Sequence, residues 1–313
     1  MAAPPFLSLL LPTLNAARDL ERLLPALEAQ QWPGTIERLA IDSSSDDGTV
    51  GLLQGAGFEV EVIPRASFRH GATRNSLVQR ARADRVLLLT QDAVPAAPDA
   101  LAKLAAHLED PAVAGVSARL VPHPDTDALS ARTVLASPEA SGLAEKRRLP
   151  EGQRLSQLPP REAISLARFH NVASAYRRAT LLDLPFPERV FGEDVAWAAR
   201  ALEAGWSLAH AHDAEVRHAH VYSLAGALER YRLDAAFLRH EFGVRVRTGP
   251  LAVLKGLLHE LREDHRHRAR VAAPWGPLLL RAPLLRTAQV TGQLLGSLGW
   301  NVPIGRAATR RFG

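Results

Sequence analysis

The sequence predicts an α/β protein built on a doubly wound, mostly parallel sheet that is flanked by helices. Over the first ninety residues, short apolar runs alternate with helical patterns, as they do in consecutive βαβ units. The chain has 313 residues, which is enough for one large domain, or for one such domain with an appendage. Its hydrophobic fraction of 47% and charged fraction of 23% are typical of a globular protein.

The predicted elements of the first part follow in order along the chain. Apolar runs predict strands at residues 6–11, 36–41, 58–63 and 85–90. The leucines between residues 20 and 27 have helical spacing, and Pro25 among them predicts a kink or a shorter helix. After the polar turn DSSSDDGT comes a short predicted helix, and a further helix at about 71–83 precedes the fourth strand.

The alternation weakens after Val113. Residues 122–165 contain clusters of proline, glycine and charged residues, which predict a mobile, functional loop region. The sequence GEDVAWAARALEAGW predicts a helix that ends at Gly205, and AEVRHAHVYS predicts a strand. Two more helices are predicted at 224–240 and 250–270.

Composition excludes several kinds of site and segment. The chain has no cysteine, so it has no disulfides and no thiolate metal ligands. The apolar run near its N-terminus is too short for a signal peptide or a membrane span, and no basic region precedes it. We therefore expect a cytoplasmic protein.

The net charge of +5 is unevenly distributed. Residues 245–313 contain 12 Lys or Arg and 3 Asp or Glu, whereas the rest of the chain contains 26 and 30. A basic, leucine-rich tail favours contact with an anionic membrane, which would place the protein peripherally on the inner face of the cell membrane. The alternative for this tail is packing against the main domain or against a homodimer partner. An acidic main body with few aromatic residues argues against nucleic-acid binding.

Polar residues follow three of the predicted strands. These are Thr13 and Asn15, Asp42, and Asp92. In an open parallel sheet, ligands bind beyond the carboxyl ends of the strands. Each residue alone is more typical of a turn or a cap, but together they predict a pocket.

Six motifs, in this order, resemble family 2 inverting glycosyltransferases of the GT-A fold, and within them the bacterial rhamnosyltransferase branch. The motifs are LSLLLPTLN, AIDSSSDDGT, FRHGATRN, LLLTQDAVP, FGEDVAWAARALEAGW and VRHAHVYS. The resemblance covers about residues 6–240. It implies a glycosyltransferase domain at 1–240, with a nucleotide-sugar half at about 1–120 and an acceptor half at about 121–240. Residues 241–313 would form a basic, leucine-rich helical extension.

The resemblance implies that the first two strand ends hold the nucleoside. A carboxylate at Asp42 can accept a hydrogen bond from the N3–H of a pyrimidine base. The turn from Pro12 through Thr13 to Asn15 would line the nucleoside, and Ser44 belongs to the serine-rich turn that follows Asp42. The alternative is that Asp42 only caps that turn.

The motif FRHGATRN predicts a phosphate site. Gly71 permits close backbone approach, and the helix that follows directs its N-terminus at a ligand in front of it. Arg74 can pair with a diphosphate as a planar fork, with His70 beside it. The alternative is a surface helix start with solvated arginines.

Asp92 occupies the last position of a D-x-D type motif, which here is Thr90-Gln91-Asp92. The resemblance places Gln91 next to the ribose. It also implies a divalent cation, Mn²⁺ or Mg²⁺, held by Asp92, the diphosphate and a histidine. Spacing favours His218, and His220 is the fallback or a neighbour of the acceptor, because both would share one face of the predicted strand. A two-histidine site without a diphosphate is the alternative.

Glu193 and Asp194 begin a predicted helix. Their favourable interaction with the helix dipole is enough to explain them. Inverting transfer also needs a base for the acceptor hydroxyl, and the resemblance assigns this role to Asp194, with Glu193 contacting the acceptor or the sugar.

We therefore expect a metal-dependent inverting glycosyltransferase that uses a dTDP- or UDP-sugar, with dTDP-L-rhamnose as the candidate donor. The acceptor would be a glycan or a lipid-linked saccharide. Two alternatives remain open. A nucleotidyltransferase usually has a glycine-rich loop after its first strand, and PTLNAARD has no glycine. A non-catalytic nucleotide-sugar-binding or scaffold protein would be consistent with the missing first carboxylate.

Overall fold

The structure is a computed structural model, and it describes residues 5–273, 276 and 278–300. The strands are β1 (Leu7–Thr13), β2 (Ile36–Asp42), β3 (Glu59–Val62), β4 (Arg85–Leu89), β5 (Val94–Pro95), β6 (Val113–Val121), β7 (Glu145–Arg148), β8 (Ala173–Arg177) and β9 (Ser207–Arg217). The α-helices are α1 (Ala17–Glu28), α2 (Thr49–Gly55), α3 (His70–Arg80), α4 (Ala100–Ala106), α5 (Ala128–Leu135), α6 (Pro160–Ala167), α7 (Arg178–Asp183), α8 (Glu193–Glu203), α9 (Leu224–Phe242), α10 (Pro250–Arg270) and α11 (Leu278–Leu298).

One sheet runs through the molecule in the order β3-β2-β1-β4-β8-β6-β9-β5, and β7 pairs with β9. The first four strands of this order are parallel, which confirms the doubly wound arrangement there. The rest is mixed. β8 is antiparallel to β4 and β6, β9 is parallel to β6, and β5 and β7 are antiparallel to β9. Because β8 meets partners that are distant along the chain, local alternation does not determine its direction.

Hydrophobic layers cover both faces of this sheet. Successive side chains of β1 point to opposite faces, so Leu9 packs in the layer that contains α1, whereas Leu10 packs in the layer that contains α3 and α8. In the second layer Trp197 is fully buried, and its ring lies 4.8 Å from that of Tyr176. Helices therefore bury the sheet on both sides, as the apolar strands predicted.

Pro25 does not shorten α1. The helix continues to Glu28, and the Ala29 N–H donates a hydrogen bond to the Pro25 carbonyl. Leu23 and Leu27 on either side of the proline are buried in the core. Tertiary packing of this face thus maintains the last turn in spite of the missing N–H.

Residues 122–165 contain more regular structure than their composition predicted. They contain α5, β7 and the beginning of α6, joined by segments outside the α-helices and strands. Two of the residues that suggested a loop begin helices. The Asp127 side chain caps α5 by accepting hydrogen bonds from the N–H groups of Leu129 and Ser130, and Pro160 occupies the first turn of α6.

The helices after residue 224 pack against the main domain. Gly292 and Gly296 of α11 face α9 so closely that a Cβ atom on either would clash with a backbone carbonyl of α9. Buried ion pairs join the other elements. Asp264 of α10 pairs with Arg286 of α11 at 2.8 Å and with Arg132 of α5 at 2.6 Å. Packing against the main domain, one of the alternatives for the tail, is thus observed for these helices.

The sequence also predicts that the tail contacts a membrane surface. Within the described residues, none of the helices has the length and apolar character that crossing a membrane requires. Residues 274, 275, 277 and 301–313, which include three of the tail's arginines, lie outside the described part of the chain.

Candidate active site

Asp92 lies in the turn that follows β4, and two histidines face it. Its Oδ2 atom is 3.3 Å from His218 Nε2 and 3.6 Å from His220 Nδ1. The Thr90 hydroxyl donates to the other carboxylate oxygen at 2.7 Å. One ligand atom from each of Asp92, His218 and His220 can be chosen so that all three lie within 4.8 Å of one another. This spacing and donor set suit a single divalent cation.

Both histidines lie beyond the end of β9, not within a strand as predicted. The His218 N–H donates to the Val121 carbonyl at 2.9 Å, which extends the alignment with β6 by one residue. The segment then turns so that the rings of His218 and His220 stand 4.5 Å apart, centroid to centroid, at 82°. The two histidines therefore face Asp92 for a reason other than the alternation of side chains along a strand. Both imidazoles contribute to the cluster.

Asp92 and His220 are in the protonation states that bind metals. Burial opposes ionisation of Asp92, but the imidazoles and the Thr90 hydroxyl hold the pKa of its carboxyl well below the usual range. Burial lowers the pKa of His220 to about 4, and repulsion by His218 contributes. An ionised carboxylate and a neutral imidazole are ready to coordinate a cation without first losing a proton.

Arg74 and Glu193 form a second, buried charged pair. Arg74 Nη1 lies 3.2 Å from Glu193 Oε1, and it also donates to the His70 carbonyl at 3.1 Å. Asn171 Nδ2 donates to the same Glu193 oxygen at 3.3 Å. Burial opposes ionisation of Glu193, but Arg74 and His70 outweigh it and lower its pKa. Glu193 thus holds Arg74 in position, and one guanidinium nitrogen is already engaged.

Asp194 is in a different electrostatic environment although it is the next residue. Its oxygens accept hydrogen bonds from the N–H groups of Asn171 at 3.2 Å and Val195 at 2.8 Å. Burial raises the pKa of Asp194 to about 7, and the neighbouring Glu193 carboxylate adds to the shift. A carboxylate that titrates near neutral pH is suited to act as a general base.

One cavity of about 620 Å³ joins these groups. Seven of the residues singled out in the sequence line it: His70, Arg74, Asp92, Glu193, Asp194, His218 and His220. The cavity is also bounded by α9, which contributes Arg230, Tyr231 and Asp234. The structure therefore brings the predicted metal ligands, the predicted base and Arg74 together around one cavity.

The predicted nucleoside residues form a separate hydrogen-bonded group at the ends of β1 and β2. Asp42 is fully buried, and its Oδ2 accepts hydrogen bonds from Thr13 Oγ1 at 2.8 Å and Ser45 Oγ at 2.6 Å. Its Oδ1 accepts one from the Ser45 N–H at 2.7 Å. Pro12 is buried within β1. Asp42 thus organises the turn, as the capping alternative supposed.

The turns beyond these strands are held in unusual conformations. Asn15 and Ser44 are exposed and have positive φ values of 48° and 60°, which are strained for residues other than glycine. Gln91 connects the turns, since its Oε1 accepts from the Leu14 N–H at 3.0 Å and its Nε2 donates to Asp19 at 2.9 Å. Gln91 therefore braces the first turn next to Asp92.

Sequence reasoning missed Asn171 and the α9 residues. Asn171 lies two residues before β8, whose first residue pairs with the last residue of β4, so it lies at the edge where Asp92 emerges. No local signal reveals this, because it depends on β8 being antiparallel. A signal for Arg230 and Asp234 does exist, since charged residues one helical turn apart share a face, but the pattern does not show what that face meets.

Comparisons with known proteins identify the family of this chain. Residues 8–177 match the family model "Glycosyl transferase family 2". The chain is 31% identical over 230 residues to the O-antigen chain rhamnosyltransferase RfbN of Salmonella typhimurium, covering 72% of this chain and 70% of the relative. It is 31% identical over 232 residues to the O-antigen chain rhamnosyltransferase WbaN of Salmonella anatum, with the same coverage.

The fold is also similar to solved structures. The mannosyltransferase PcManGT from Pyrobaculum calidifontis, in complex with GDP-Man and Mn²⁺, matches with a TM-score of 0.58 and 21% identity, over 95% of this chain and 87% of that one. These similarities confirm the expected GT-A fold, with its helical C-terminal part. The chain belongs to glycosyl transferase family 2 and is a glycosyltransferase similar to the O-antigen rhamnosyltransferases.

Proposed function

We propose that this protein is a metal-dependent inverting glycosyltransferase that takes its sugar from a pyrimidine nucleotide, with dTDP-L-rhamnose as the candidate donor. The acceptor is a glycan or a lipid-linked saccharide. The observation that carries the proposal is that one cavity holds both the Asp92, His218 and His220 cluster and the Asp194 carboxylate. The similarity to enzymes named as rhamnosyltransferases supports the choice of donor.

Asp92, His218 and His220 would hold the cation. Bound there, Mn²⁺ or Mg²⁺ supplies a positive charge that compensates the diphosphate leaving group. Two imidazoles beside one carboxylate favour Mn²⁺, because Mg²⁺ prefers oxygen ligands.

Asp194 performs the proton transfer. An acceptor hydroxyl in the cavity loses its proton to the Asp194 carboxylate as its oxygen attacks the anomeric carbon from the side opposite the diphosphate. The bond between that carbon and the diphosphate oxygen breaks in the same displacement, so the configuration inverts. The N–H groups of Asn171 and Val195 keep the carboxylate oriented for this step.

Residues 1–120 bind the nucleotide in this proposal, and residues 121–240 bind the acceptor. Asp42 Oδ1 accepts one hydrogen bond among the described residues and has a second lone pair for the base N3–H, which the base reaches only if the serine-rich turn over the buried Asp42 opens. Pro12, Thr13, Asn15, Ser44 and Gln91 shape the nucleoside site, and His70 and Arg74 support the diphosphate.

We also propose that the protein works at the cytoplasmic face of the cell membrane. Leu251, Leu254 and Leu258 are exposed along α10, and the exposed Lys255 lies among them. This combination suits an anionic lipid surface, and a homodimer interface is the competing use of the same face. Flotation with vesicles with and without anionic lipid, combined with light scattering, distinguishes the two.

A thermal-shift experiment tests the central proposal. We expect dTDP or UDP to raise the melting temperature in the presence of Mn²⁺, and GDP to raise it less. Asp194→Ala should keep this response and lose sugar transfer. If no pyrimidine nucleotide stabilises the protein, the proposed donor class is wrong.

A further inference from the structure

Two oppositely charged side chains on α9 line the cavity. Arg230 and Asp234 are one helical turn apart, and both line the cavity. Across the described part of the chain, neither side chain forms a hydrogen bond or an ion pair with another residue. The interaction recorded for Arg230 is with an aromatic ring, since its guanidinium lies 4.6 Å from the centroid of Phe191. Both side chains are half-buried and the charge that each feels most strongly is the other's, so their hydrogen-bonding groups remain available to a ligand in the cavity.

The pair lies beside the predicted reaction centre. Arg230 and Asp234 line the same cavity as the predicted base Asp194 and the predicted metal ligand His220. Tyr222 and Tyr231 line it as well. A ligand bound between Arg230 and Asp234 would therefore share this cavity with the base.

The chemistry of this pair indicates the class of ligand. A carboxylate accepts hydrogen bonds from hydroxyls, and a guanidinium donates them to hydroxyl and ring oxygens. Together they are neutral, so they suit an uncharged ligand with several hydroxyls next to aromatic rings. A diphosphate bound at this pair would be repelled by Asp234, so it belongs at the Arg74 side of the cavity. A hydrocarbon chain would leave both charges unpaired.

We propose that Arg230 and Asp234 bind the glycosyl unit of the acceptor through hydrogen bonds to its hydroxyl groups. The inference rests on the proposed glycosyltransferase function and specifies its acceptor as a neutral sugar unit. It also makes α9 part of the active site. The close packing of α11 at Gly292 and Gly296 holds α9 in place, so the helical extension supports this wall of the cavity.

The test uses the full chain with Mn²⁺ and dTDP, and a panel of neutral methyl glycosides as probes. The variants are Arg230→Gln and Asp234→Asn, with His240→Gln as the control, because His240 is exposed on the same helix outside the cavity. Saturation-transfer NMR and titration report glycoside binding, and calorimetry reports dTDP binding. We expect each cavity variant to bind its best glycoside about tenfold to hundredfold more weakly, with dTDP affinity within about twofold of wild type.

Three results would overturn the inference. These are wild-type protein that binds dTDP but none of the glycosides, cavity variants that bind glycosides as wild type does, and an Arg230→Gln effect confined to dTDP. Unchanged dTDP binding in the variants also shows that they are folded. Failure of the wild type to bind any pyrimidine nucleotide, with glycoside binding intact, would count against the proposed donor class alone.

A deoxy-glycoside series identifies the hydroxyl that is read. For one deoxy glycoside, the affinity for the wild-type protein should be as low as the affinity of Asp234→Asn for the parent glycoside. The affinity of Asp234→Asn for that deoxy glycoside should be no lower still. A series in which every member weakens further in Asp234→Asn would contradict a direct contact between Asp234 and the sugar.

Discussion

Replacing Asp194 by asparagine tests the electrostatics of the site and its chemistry together. Asparagine has the shape of a protonated aspartate but does not titrate. The groups that act on this carboxylate come from several elements: Glu193 on α8, Arg74 on α3, Tyr176 on β8 and Arg230 on α9. Burial is the largest influence and Glu193 the next, and both raise the pKa of Asp194 to about 7.

The raised pKa makes the wild-type protein less stable as the pH rises. Between the ordinary value of 3.8 and about 7, the folded protein holds a proton on Asp194 that the unfolded chain has released. Each pH unit in this window costs about 1.4 kcal/mol, so the stability that this group contributes at acid pH falls by about 4 kcal/mol by pH 8. Asp194→Asn does not show this fall in stability, because asparagine does not titrate. Its unfolding free energy minus that of wild type should therefore increase by about 4 kcal/mol from pH 4 to pH 8.

The same substitution should remove the general base. We expect kcat/KM for sugar transfer to fall by about 10²- to 10⁴-fold. In wild type kcat/KM should rise with pH until Asp194 is ionised, with a midpoint near 7, and this rise should be absent from the residual activity of the variant.

Urea unfolding at pH 4 and pH 8, followed by tryptophan fluorescence, measures the first effect, and release of the nucleoside diphosphate measures the second. Asp183→Asn is a matched control, because Asp183 is exposed and lies outside the cavity. A stability difference that does not depend on pH would refute the burial argument. Unchanged transfer by Asp194→Asn would refute its role as the base.

Three further predictions follow from the contacts. His218→Ala and His220→Ala should each weaken Mn²⁺ binding, measured by calorimetry, by at least about tenfold, and an effect of only one would mean a two-residue site. Arg286→Ala should lower the unfolding free energy by about 3 kcal/mol, since it removes one partner from a buried carboxylate of α10, and a neutral result would argue against that network. Gly292→Ala should lower the unfolding free energy by about 1–3 kcal/mol, because its Cβ would meet a carbonyl of α9. Gly51→Ala in α2, where the added Cβ meets open space, should raise the unfolding free energy by about 0.5–1 kcal/mol in the same urea experiment.

Several features of the fold and the site are predictable because they depend on neighbours in the chain. Continuous apolar runs placed β1, β2 and β4 within one or two residues of their observed ends. The polar residue that ends such a run must emerge at the sheet edge, which is why Asp92 could be identified from VLLLTQDAVP alone. The acidic start of α8 likewise needs only local information.

The sequence by itself therefore determined the α/β class, the family, and the residue types that the site contains. Tertiary structure alone decided the direction of β8, and with it the position of Asn171. It decided that both His218 and His220 reach Asp92, although neither belongs to a strand. It also decided that α9 closes the cavity. These features come from contacts between residues far apart in the chain. The burial that shifts the pKa of Asp194 exists only once those contacts form.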